Sequence, residues 1–441
     1  MTRADALSDG FKQTEIGLIP EEWDVARVAD KYKFTAKPRG LRYDAFEAIP
    51  FVPMELVPQG KMYFTAHILK RPDEISSGTY FEPNDILIPK ITPSFENGKQ
   101  GIMPRLPTPF GVATTEVIPV AEISNVSSRE FLFYYLLKND VRDLLASKMD
   151  GSTGRQRLRK DLIEELRIPF PPLPEQRAIA HVLSKIQAAA EAQAAIAGRA
   201  RELKRALMAK LFTEGLRGEP LKETEIGTVP EGWEVVGLDA IKANIKGAIV
   251  SGPFGSNIGK RFFVDEGVPL IRGNNLTKGD KFFVEEGFVF ITEEKAEELK
   301  TCTALPNDLI FTAAGTLGQV GLIPQDCLYP KYIISNKQLR ARVDEGKAVP
   351  LFLFYWFSSS IIQKLIAQRK GGVSIPVINL GILRRLPIPL PSLDEQREIA
   401  HVLQAMDAKI VSAERKQAGL EELFRAMLGE LMTGQVRVKG S

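Results

Sequence analysis

The most constraining feature of this sequence is an internal duplication. Residues 175–183 read EQRAIAHVL, and residues 395–403 read EQREIAHVL. The other matched blocks are KQTEIGLIPEEW (12–23) with KETEIGTVPEGW (222–233), FLFYYLLKND (131–140) with LFLFYWFSSS (351–360), LRIPFPPLPEQR (166–177) with LPIPLPSLDEQR (386–397), and LKRALMAKLFT (203–213) with LFRAMLGELMT (423–433). Because the blocks recur in the same order, the chain consists of two copies of one unit.

The segments between the matched blocks are much less alike. NDILIPK at 84–90 and NDLIFTA at 307–313 both predict a buried strand after an Asn-Asp turn, but the surrounding loops share little. A solenoid would instead repeat every roughly 20–50 residues. The pattern therefore indicates a common frame that carries two differently specialised heads.

A heptad pattern follows each nonapeptide. Seam positions recur at alternate steps of four and three residues, which is typical of a coiled coil. The seams are Ile179, Leu183, Ile186, Ala190, Gln193, Ala197, Ala200, Lys204, Leu207 and Leu211 in the first copy, and Ile399, Leu403, Met406, Ile410, Ala413, Gln417, Leu420, Phe424, Met427 and Leu431 in the second. Ser392 and Glu395 predict a capping box at the second helix start. We predict that the two helices pair as an antiparallel coiled coil.

The heads combine short strand-like runs with Gly, Pro and Asn turns, and each ends in a predicted helix, which is typical of an α+β fold. We therefore predict two α/β heads with a pseudo-two-fold repeat, separated by two long helices. The predicted divisions are a first head at 1–172, a first helix at 173–215, a second head at 216–390, a second helix at 391–435 and a tail at 436–441.

Composition restricts the location and partners of the protein. A net charge of +3 means that any nucleic-acid surface must be a local patch. The N-terminal residues lack the apolar stretch of a signal peptide, and the run LFLFYWF from Leu351 is far shorter than the ~20 residues that span a bilayer. We expect a cytoplasmic protein with no membrane partner. Cys302 and Cys327 have no metal-binding spacing, and we expect them to be reduced structural thiols.

Motifs for catalysis are missing. Residues 170–173, FPPL, lack the polar and stacking groups of an amino-methyltransferase loop, and the glycines of 315–321 and 252–261 fit neither a dinucleotide nor a P-loop pattern. Residues 293–295, EEK, lack the preceding carboxylate of a nuclease site. We expect no catalytic residue, metal site or cofactor in this chain, and we expect His181 and His401 to pack helix against head.

Basic and amide side chains cluster on glycine-containing loops of both heads. Arg and Lys read guanine edges, Asn and Gln read adenine edges, and glycine amides approach phosphates, although such clusters are also typical of solvated loops. The candidate DNA-binding residues are Lys37, Arg39, Arg42, Tyr43, Lys90, Lys99, Arg155, Gln156, Arg157, Arg159 and Lys160 in the first head, and Ser256, Asn257, Lys260, Arg261, Arg272, Asn274, Asn275, Lys337, Gln338 and Arg340 in the second.

At the matched blocks the sequence resembles the specificity subunits of type I restriction-modification systems. The residues that carry the resemblance are TEIG and the following P-E-x-W at both copy starts, the two segments leading into the helices, IPFPPLPEQRAIAHVL and IPLPSLDEQREIAHVL, and the strands after the Asn-Asp turns. The resemblance covers nearly the whole chain twice, in the right order.

This resemblance implies a non-catalytic subunit that recognises double-stranded DNA. Each head would read one half of a bipartite, asymmetric site, and the helices would set the unread spacer. Its partners would be two methyltransferase subunits, which use S-adenosylmethionine to methylate adenine N6, and restriction subunits, which translocate and cut DNA with ATP and Mg. Three alternatives remain: the recognition subunit of a modification-only or phage-defence complex, a nuclease or methyltransferase in its own right, and a scaffold whose heads bind only protein.

Overall fold

The computed structural model describes residues 10–152, 154–277, 281–316, 318–368 and 378–438, while the side chains of Arg155 and Ser256 lie outside this description. The chain divides into two compact units, Met1–Gln193 with Lys416–Ser441, and Ala194–Arg415. Each unit therefore contains one head together with one half of each long helix.

The first copy consists of short strands and helices that precede one long helix. The strands are β1 (Phe11–Thr14), β2 (Gly17–Pro20), β3 (Asp24–Arg27), β4 (Tyr32–Phe34), β5 (Ile49–Val52), β6 (Ile68–Lys70), β7 (Thr79–Phe81), β8 (Ile86–Pro89), β9 (Gly101–Ile102), β10 (Gly111–Ala113), β11 (Val117–Glu122), β12 (Asp150–Ser152), β13 (Arg155–Arg157) and β14 (Arg167–Phe170). The helices are α1 (Val28–Lys31), α2 (Arg129–Tyr135), α3 (Asn139–Ala146), α4 (Lys160–Glu164) and the long α5 (Leu173–Glu214).

Two four-stranded sheets form the first head, with strand orders β6-β5-β10-β7 and β4-β11-β8-β9. The first sheet is mixed, because β10 runs parallel to β5 and antiparallel to β7. The second sheet is antiparallel and contains β8, the strand after the first Asn-Asp turn. Helix α2 packs against this sheet, and its aromatic residues Phe131, Phe133 and Tyr134 are fully buried.

The second copy repeats this plan. Its strands are β15 (Leu221–Thr224), β16 (Gly227–Pro230), β17 (Glu234–Gly237), β18 (Ile249–Ser251), β19 (Phe263–Val264), β20 (Val268–Ile271), β21 (Val289–Ile291), β22 (Thr303–Ala304), β23 (Leu309–Thr312), β24 (Val320–Leu322), β25 (Tyr332–Ile334), β26 (Gln338–Ala341) and β27 (Pro387–Leu390). The helices are α6 (Glu293–Glu298), α7 (Pro350–Ser358), α8 (Ser360–Gln368), α9 (Leu380–Arg384) and the long α10 (Leu393–Thr433).

The second head also contains two sheets, with orders β18-β26-β23-β24 and β19-β21-β20-β25-β22. The five-stranded sheet is mixed, because β20 and β25 run parallel. Cys302 is buried and Cys327 is half-buried against the core of this sheet, and both are free thiols. The α+β class predicted from the sequence is confirmed.

Each copy opens on the same hairpin. In β1–β2 the Thr14 hydroxyl donates to the Gly17 carbonyl (2.7 Å), and Gly17 has φ of +105°. In β15–β16 the Thr224 hydroxyl donates to the Gly227 carbonyl (2.6 Å), and Gly227 has φ of +99°. Glycine suits this positive φ because it has no Cβ, which explains the TEIG motif at both copy starts.

A tryptophan–glutamate pair joins each copy start to its long helix. The indole N–H groups of Trp23 and Trp233 donate to Glu175 (2.9 Å) and Glu395 (3.2 Å), and all four residues are buried. A buried carboxylate requires such partners. The predicted capping box is therefore only half formed: Ser392 accepts from the Glu395 amide (3.3 Å), while the Glu395 carboxylate binds Trp233.

The neighbouring glutamines join each helix to the closing helix of its head. The side-chain oxygens of Gln176 and Gln396 accept the backbone N–H of Ser128 (2.9 Å) and Val349 (2.8 Å), which directly precede α2 and α7. Each side-chain amide also donates to the carbonyl of the proline five residues earlier, at 2.8 and 2.9 Å. Both glutamines are completely buried, so the EQ dipeptide of the nonapeptide is structural.

The Asn-Asp turns share their backbone but differ in their charge environment. Asn84 and Asn307 have φ of +73° and +69°, and the next residues, Asp85 and Asp308, each accept a backbone N–H three residues earlier (2.8 Å). Asp308 also binds the Arg342 guanidinium through two hydrogen bonds, of 2.8 and 2.6 Å. No described arginine pairs with Asp85, and burial raises the pKa of Asp85 to about 6.

The long helices pack antiparallel within the second unit. Lys204 of α5 binds Asp407 of α10 (2.6 Å), and Arg201, one turn earlier in α5, pairs with Glu414, two turns later in α10. In the first unit, Ile179 and Leu183 of α5 share a core with Leu428 and Leu431 of α10, and Glu175 binds Arg437, four residues after α10 ends (2.6 Å). Every predicted seam position is buried or half-buried. The predicted antiparallel coiled coil is confirmed.

We predict that Gln176→Ala lowers the free energy of unfolding by about 2–3 kcal/mol, because it leaves a buried backbone N–H and a buried carbonyl without partners. Gln396→Ala should have the same effect in the second unit. Arg177→Ala, on an exposed side chain of the same turn, should change it by less than about 0.5 kcal/mol. Urea unfolding monitored by circular dichroism measures all three. Equal stability of the Gln176→Ala and Arg177→Ala proteins would contradict the structural role.

Candidate nucleic-acid interface

The first candidate loop of the first head is anchored by Tyr43. Its ring stacks on Phe110 with centroids 5.6 Å apart, and the Lys37 ammonium lies 3.8 Å from the Tyr43 centroid. Arg42 is exposed and hydrogen-bonds to Asp44 (3.1 Å). Arg39 is exposed and has no ion pair among the described residues. The stacking of Tyr43 on Phe110 therefore anchors the loop, and Arg39 on the same loop faces solvent.

Four other basic candidates meet in one cleft of the first head. Lys90, Arg157, Arg159 and Lys160 line a cavity of about 450 Å³ with Thr35 and Thr79. Lys90 follows β8, whereas the other three residues lie at the end of β13 and the start of α4. The Leu158 amide donates to the Lys90 carbonyl (2.7 Å) and joins the two segments. The structure therefore brings residues 67 or more positions apart into one basic cleft.

Most cations of this cleft have carboxylate partners. Arg157 binds Glu116 (2.9 Å), Arg159 binds Asp161 (2.6 Å), and Lys160 binds Glu164 (2.8 Å). The hydrogen bonds that Arg157 donates to Glu116, and Arg159 to Asp161, raise the pKa values of the two guanidinium groups. These arginines and lysines are exposed, and exposed ion pairs contribute only about 0–1 kcal/mol. A phosphate can therefore replace the carboxylates at little cost.

The remaining candidates of the first head lie elsewhere. Lys99 is half-buried and donates to the Met54 carbonyl (3.1 Å), so it holds a loop rather than facing solvent freely. Gln156 is half-buried in the β12–β13 hairpin, where its carbonyl accepts the Thr92 amide (3.1 Å). The side chain of Arg155 lies outside the described residues.

In the second head, six candidates are exposed on turns that follow or precede strands: Asn257, Lys260, Arg261, Arg272, Asn274 and Lys337. The Arg261 guanidinium lies 4.7 Å from the centroid of the Phe262 ring, and the Asn274 amide donates to the Gly287 carbonyl (3.3 Å). The side chain of Ser256 lies outside the described residues.

Three candidates of the second head are buried, which corrects the expectation that they contact DNA. Asn275 is 0% exposed, and its amide donates to the carbonyls of Val284 (2.9 Å) and Glu286 (3.0 Å). Gln338 is 1% exposed and accepts the Ser335 hydroxyl. Arg340 is 4% exposed, and burial lowers its pKa. Asn275 and Gln338 use their side-chain amides inside the head, and the Arg340 guanidinium donates to the Gly247 carbonyl and pairs with Asp308 (3.7 Å).

One exposed aromatic residue was missed in the sequence. Phe254 is 88% exposed between Pro253 and Gly255, in the same loop region as Asn257 and Lys260. An aromatic ring that faces solvent next to basic side chains can stack on bases or contact a thymine methyl group. The flanking residues gave no signal for this exposure, since Phe110 also lies between Pro and Gly and is buried.

The repeated histidines are exposed, which corrects the expectation that they pack helix against head. His181 and His401 face solvent on the opening turns of α5 and α10, with Arg177 and Arg397 exposed one turn earlier. Neither imidazole ring has a hydrogen-bond partner among the described residues. We call these two pairs the paired Arg-His faces.

Each paired Arg-His face borders a shallow cavity beside the closing helix of its head. In the first unit Arg177 and His181 line a cavity of about 360 Å³ with Ser128 and Glu130. In the second unit Arg397 and His401 line one of about 480 Å³ with Val349 and Leu351. The duplication thus retains an exposed Arg-His pair as well as the buried Glu-Gln contacts, although Arg397 also pairs with Asp394 (2.8 Å).

The family model of the type I restriction modification DNA specificity domain matches residues 20–197 and again residues 230–422. The chain belongs to this family. Over 446 residues it is 26% identical to the putative type I restriction enzyme MjaX specificity subunit of Methanocaldococcus jannaschii, covering 98% of this chain and 97% of that protein. It is 24% identical over 334 residues to the EcoBI specificity subunit of Escherichia coli, covering 71% and 67%.

Solved structures have the same fold. A chain from a study of complex assembly and conformational transition of the type I R-M system superimposes with a TM-score of 0.59 at 16% identity, covering 95% of this chain and 99% of that chain. The type I restriction-modification S subunit from M. genitalium gives a TM-score of 0.54 at 16% identity, covering 93% and 96%. In this chain the family domain occurs twice. Within the described residues, no helix has the length and apolar character to cross a membrane, and no cluster of potential metal ligands occurs.

Proposed function

We propose that this chain is the non-catalytic DNA-recognition subunit of a type I restriction-modification complex, in which each head reads one half of a bipartite, asymmetric site. The proposal rests on one observation: the two copies share the same frame, but their exposed loops differ. The frame is held by the same buried contacts in both copies, at Glu175 and Gln176 and at Glu395 and Gln396. The exposed basic loops differ between the copies, so the two heads are suited to different half-sites.

In the first head, the cleft of Lys90, Arg157, Arg159 and Lys160 would bind the phosphate backbone. Phosphate contacts fix the register of a protein on DNA, whereas contacts to base edges supply the specificity. Arg39 stands on the neighbouring loop and is free to enter a groove. Thus the cleft would position this head, and the loop around Arg39 would read bases.

In the second head, the exposed loop side chains Phe254, Asn257, Lys260 and Arg261 would form the equivalent surface. Arg272, Asn274 and Lys337 extend it with further hydrogen-bond donors. Asn275, Gln338 and Arg340 are excluded from base reading because they are buried.

The two long helices would set the spacer between the half-sites. They contain 42 and 41 residues. Four residues make slightly more than one helical turn, so an insertion of four returns the seam to nearly the same face while it lengthens the helix. In this proposal the partner subunits carry out methyl transfer from S-adenosylmethionine and DNA cleavage with ATP and Mg.

We predict that inserting four helix-forming residues after Gln193 lengthens α5 by about 6 Å, so the preferred spacer should grow by one or two base pairs. Modified-base sequencing of DNA from a host that carries the protein with its methyltransferase measures the spacer. The matched control inserts the same residues after Arg217, in the segment between α5 and β15, and should leave the spacer unchanged. An unchanged spacer after the Gln193 insertion would rule out the helices as a ruler.

The paired Arg-His faces would bind the methyltransferase subunits, one at each face. Two identical partners require two equivalent surfaces, and the internal duplication supplies them. The paired Arg-His faces suit this role because they are exposed and recur in both copies. The loops that differ between the heads do not provide two equivalent surfaces.

We predict that Arg177→Glu together with Arg397→Glu weakens methyltransferase binding by about tenfold or more, because charge reversal places unfavourable charge at each interface. Each single variant should lose one partner. Lys185→Glu, an exposed charge reversal on α5 without a lysine at the matching position of the second copy, is the control. Native mass spectrometry gives the stoichiometry. Full occupancy of both sites in the double variant would refute the assignment.

A further inference from the structure

The second unit contains a cavity that the proposed function does not use. It has a volume of about 640 Å³ and lies between the paired halves of α5 and α10 and the α7–α8 junction. Its lining residues are Arg201, Lys204, Arg205, Met208, Lys281, Ser358, Ser359, Ser360, Asp407, Ile410, Val411 and Glu414.

The charges that line this cavity are unbalanced. Four residues are cationic, and only Asp407 and Glu414 are carboxylates. These carboxylates are already engaged, because Asp407 binds Lys204 (2.6 Å) and the Tyr355 hydroxyl (2.7 Å), while Glu414 pairs with Arg201. The remaining cations, Arg205 and Lys281, have no ion pair among the described residues. The cavity therefore has an excess of two positive charges.

The junction between α7 and α8 adds hydroxyl and amide donors. Ser359 is 2% exposed, and its hydroxyl has no hydrogen-bond partner within the described residues. A buried hydroxyl without a partner is destabilising. Ser359 directly precedes α8, a helix of nine residues, whose first N–H groups and dipole favour an anion. The Ser358 hydroxyl, by contrast, already donates to the Phe354 carbonyl (2.7 Å).

We propose that this cavity binds a phosphate group. A tetrahedral oxyanion would accept hydrogen bonds from the Ser359 hydroxyl and the α8 amides, and its charge would be matched by Arg205 and Lys281. The same chemistry is offered by a phosphate of the DNA backbone and by a free phosphate anion. Binding of phosphate here does not require that the heads read DNA.

The equivalent place in the first unit lacks this chemistry. A cavity of about 600 Å³ lies there, with Lys138, Asn139 and Asp140 at the positions of the three serines and Phe424 at the position of Lys204. Among the described residues that line it, Arg142 Nε and one carboxylate oxygen of Glu96 are buried without a hydrogen-bond partner. That cavity has three cations, Lys138, Arg142 and Arg425, against the carboxylates of Glu96 and Asp140, so its excess of positive charge is one rather than two. The matching residue for Arg205 is Arg425, which supplies a control.

The test measures the binding of inorganic phosphate to the full chain. Isothermal titration and thermal unfolding are run against sodium chloride at equal ionic strength, which separates binding from screening. Arg205→Ala and Ser359→Ala should each weaken phosphate binding, Arg205→Ala by about tenfold because a charged hydrogen bond is lost. Arg425→Ala, in the other unit, should bind phosphate as the unsubstituted protein does.

A second arm distinguishes the two sources of phosphate. If Arg205→Ala also binds a non-specific DNA duplex more weakly than Arg425→Ala, and phosphate competes with that duplex, the ligand is a backbone phosphate. If the two variants bind the duplex equally, the ligand is a free anion. The proposal is overturned if phosphate stabilises the chain no more than chloride does, or if Arg205→Ala binds phosphate as tightly as Arg425→Ala.

Discussion

The Glu-Gln dipeptide at the start of each long helix is the contact on which the rest of the structure depends. Gln176 and Gln396 satisfy a backbone N–H of the head and a carbonyl at the helix start, while the adjacent glutamates hold the tryptophans of the copy starts. All of these groups are buried, so none can be lost without leaving a polar atom unpaired. These contacts fix each head to its long helix, and the loops that differ between the heads extend from this common frame.

Around that fixed frame the two copies have diverged in charge. The β-sheet register places Val120 opposite Ile86 in the first head and Ala341 opposite Leu309 in the second. Ala121 therefore stands where the second head has Arg342, the partner of Asp308. In the second head the aspartate of the Asn-Asp turn, Asp308, pairs with Arg342. In the first head the corresponding Asp85 is buried, and its pKa is raised. The divergence thus extends into the core beneath the loops.

The frame could be predicted from the sequence because its signals are periodic or duplicated. The heptad seams, the two hairpins with glycine and the strands after the Asn-Asp turns all recur, so each copy supports the interpretation of the other. The roles of single polar residues could not be predicted in this way. Asn274 and Asn275 are adjacent and alike, yet only Asn275 is buried, because the carbonyls of residues 284 and 286 fold over it. His181 and His401 were misjudged because the repeat does not distinguish a helix position that packs from one that faces solvent.

The central claim is that the two heads read separate half-sites from a common frame, and a head exchange tests it most directly. Residues 24–170 contain both partners of the β3–β14 pair, while Trp23 and Glu175 lie outside the segment. Residues 24–170 can therefore be replaced by the corresponding head of another family member while the hydrogen bond between Trp23 and Glu175 is kept. Modified-base sequencing of host DNA should then show one changed half-site, with the other half and the spacer unchanged. A change in both halves of the recognised sequence would contradict this account.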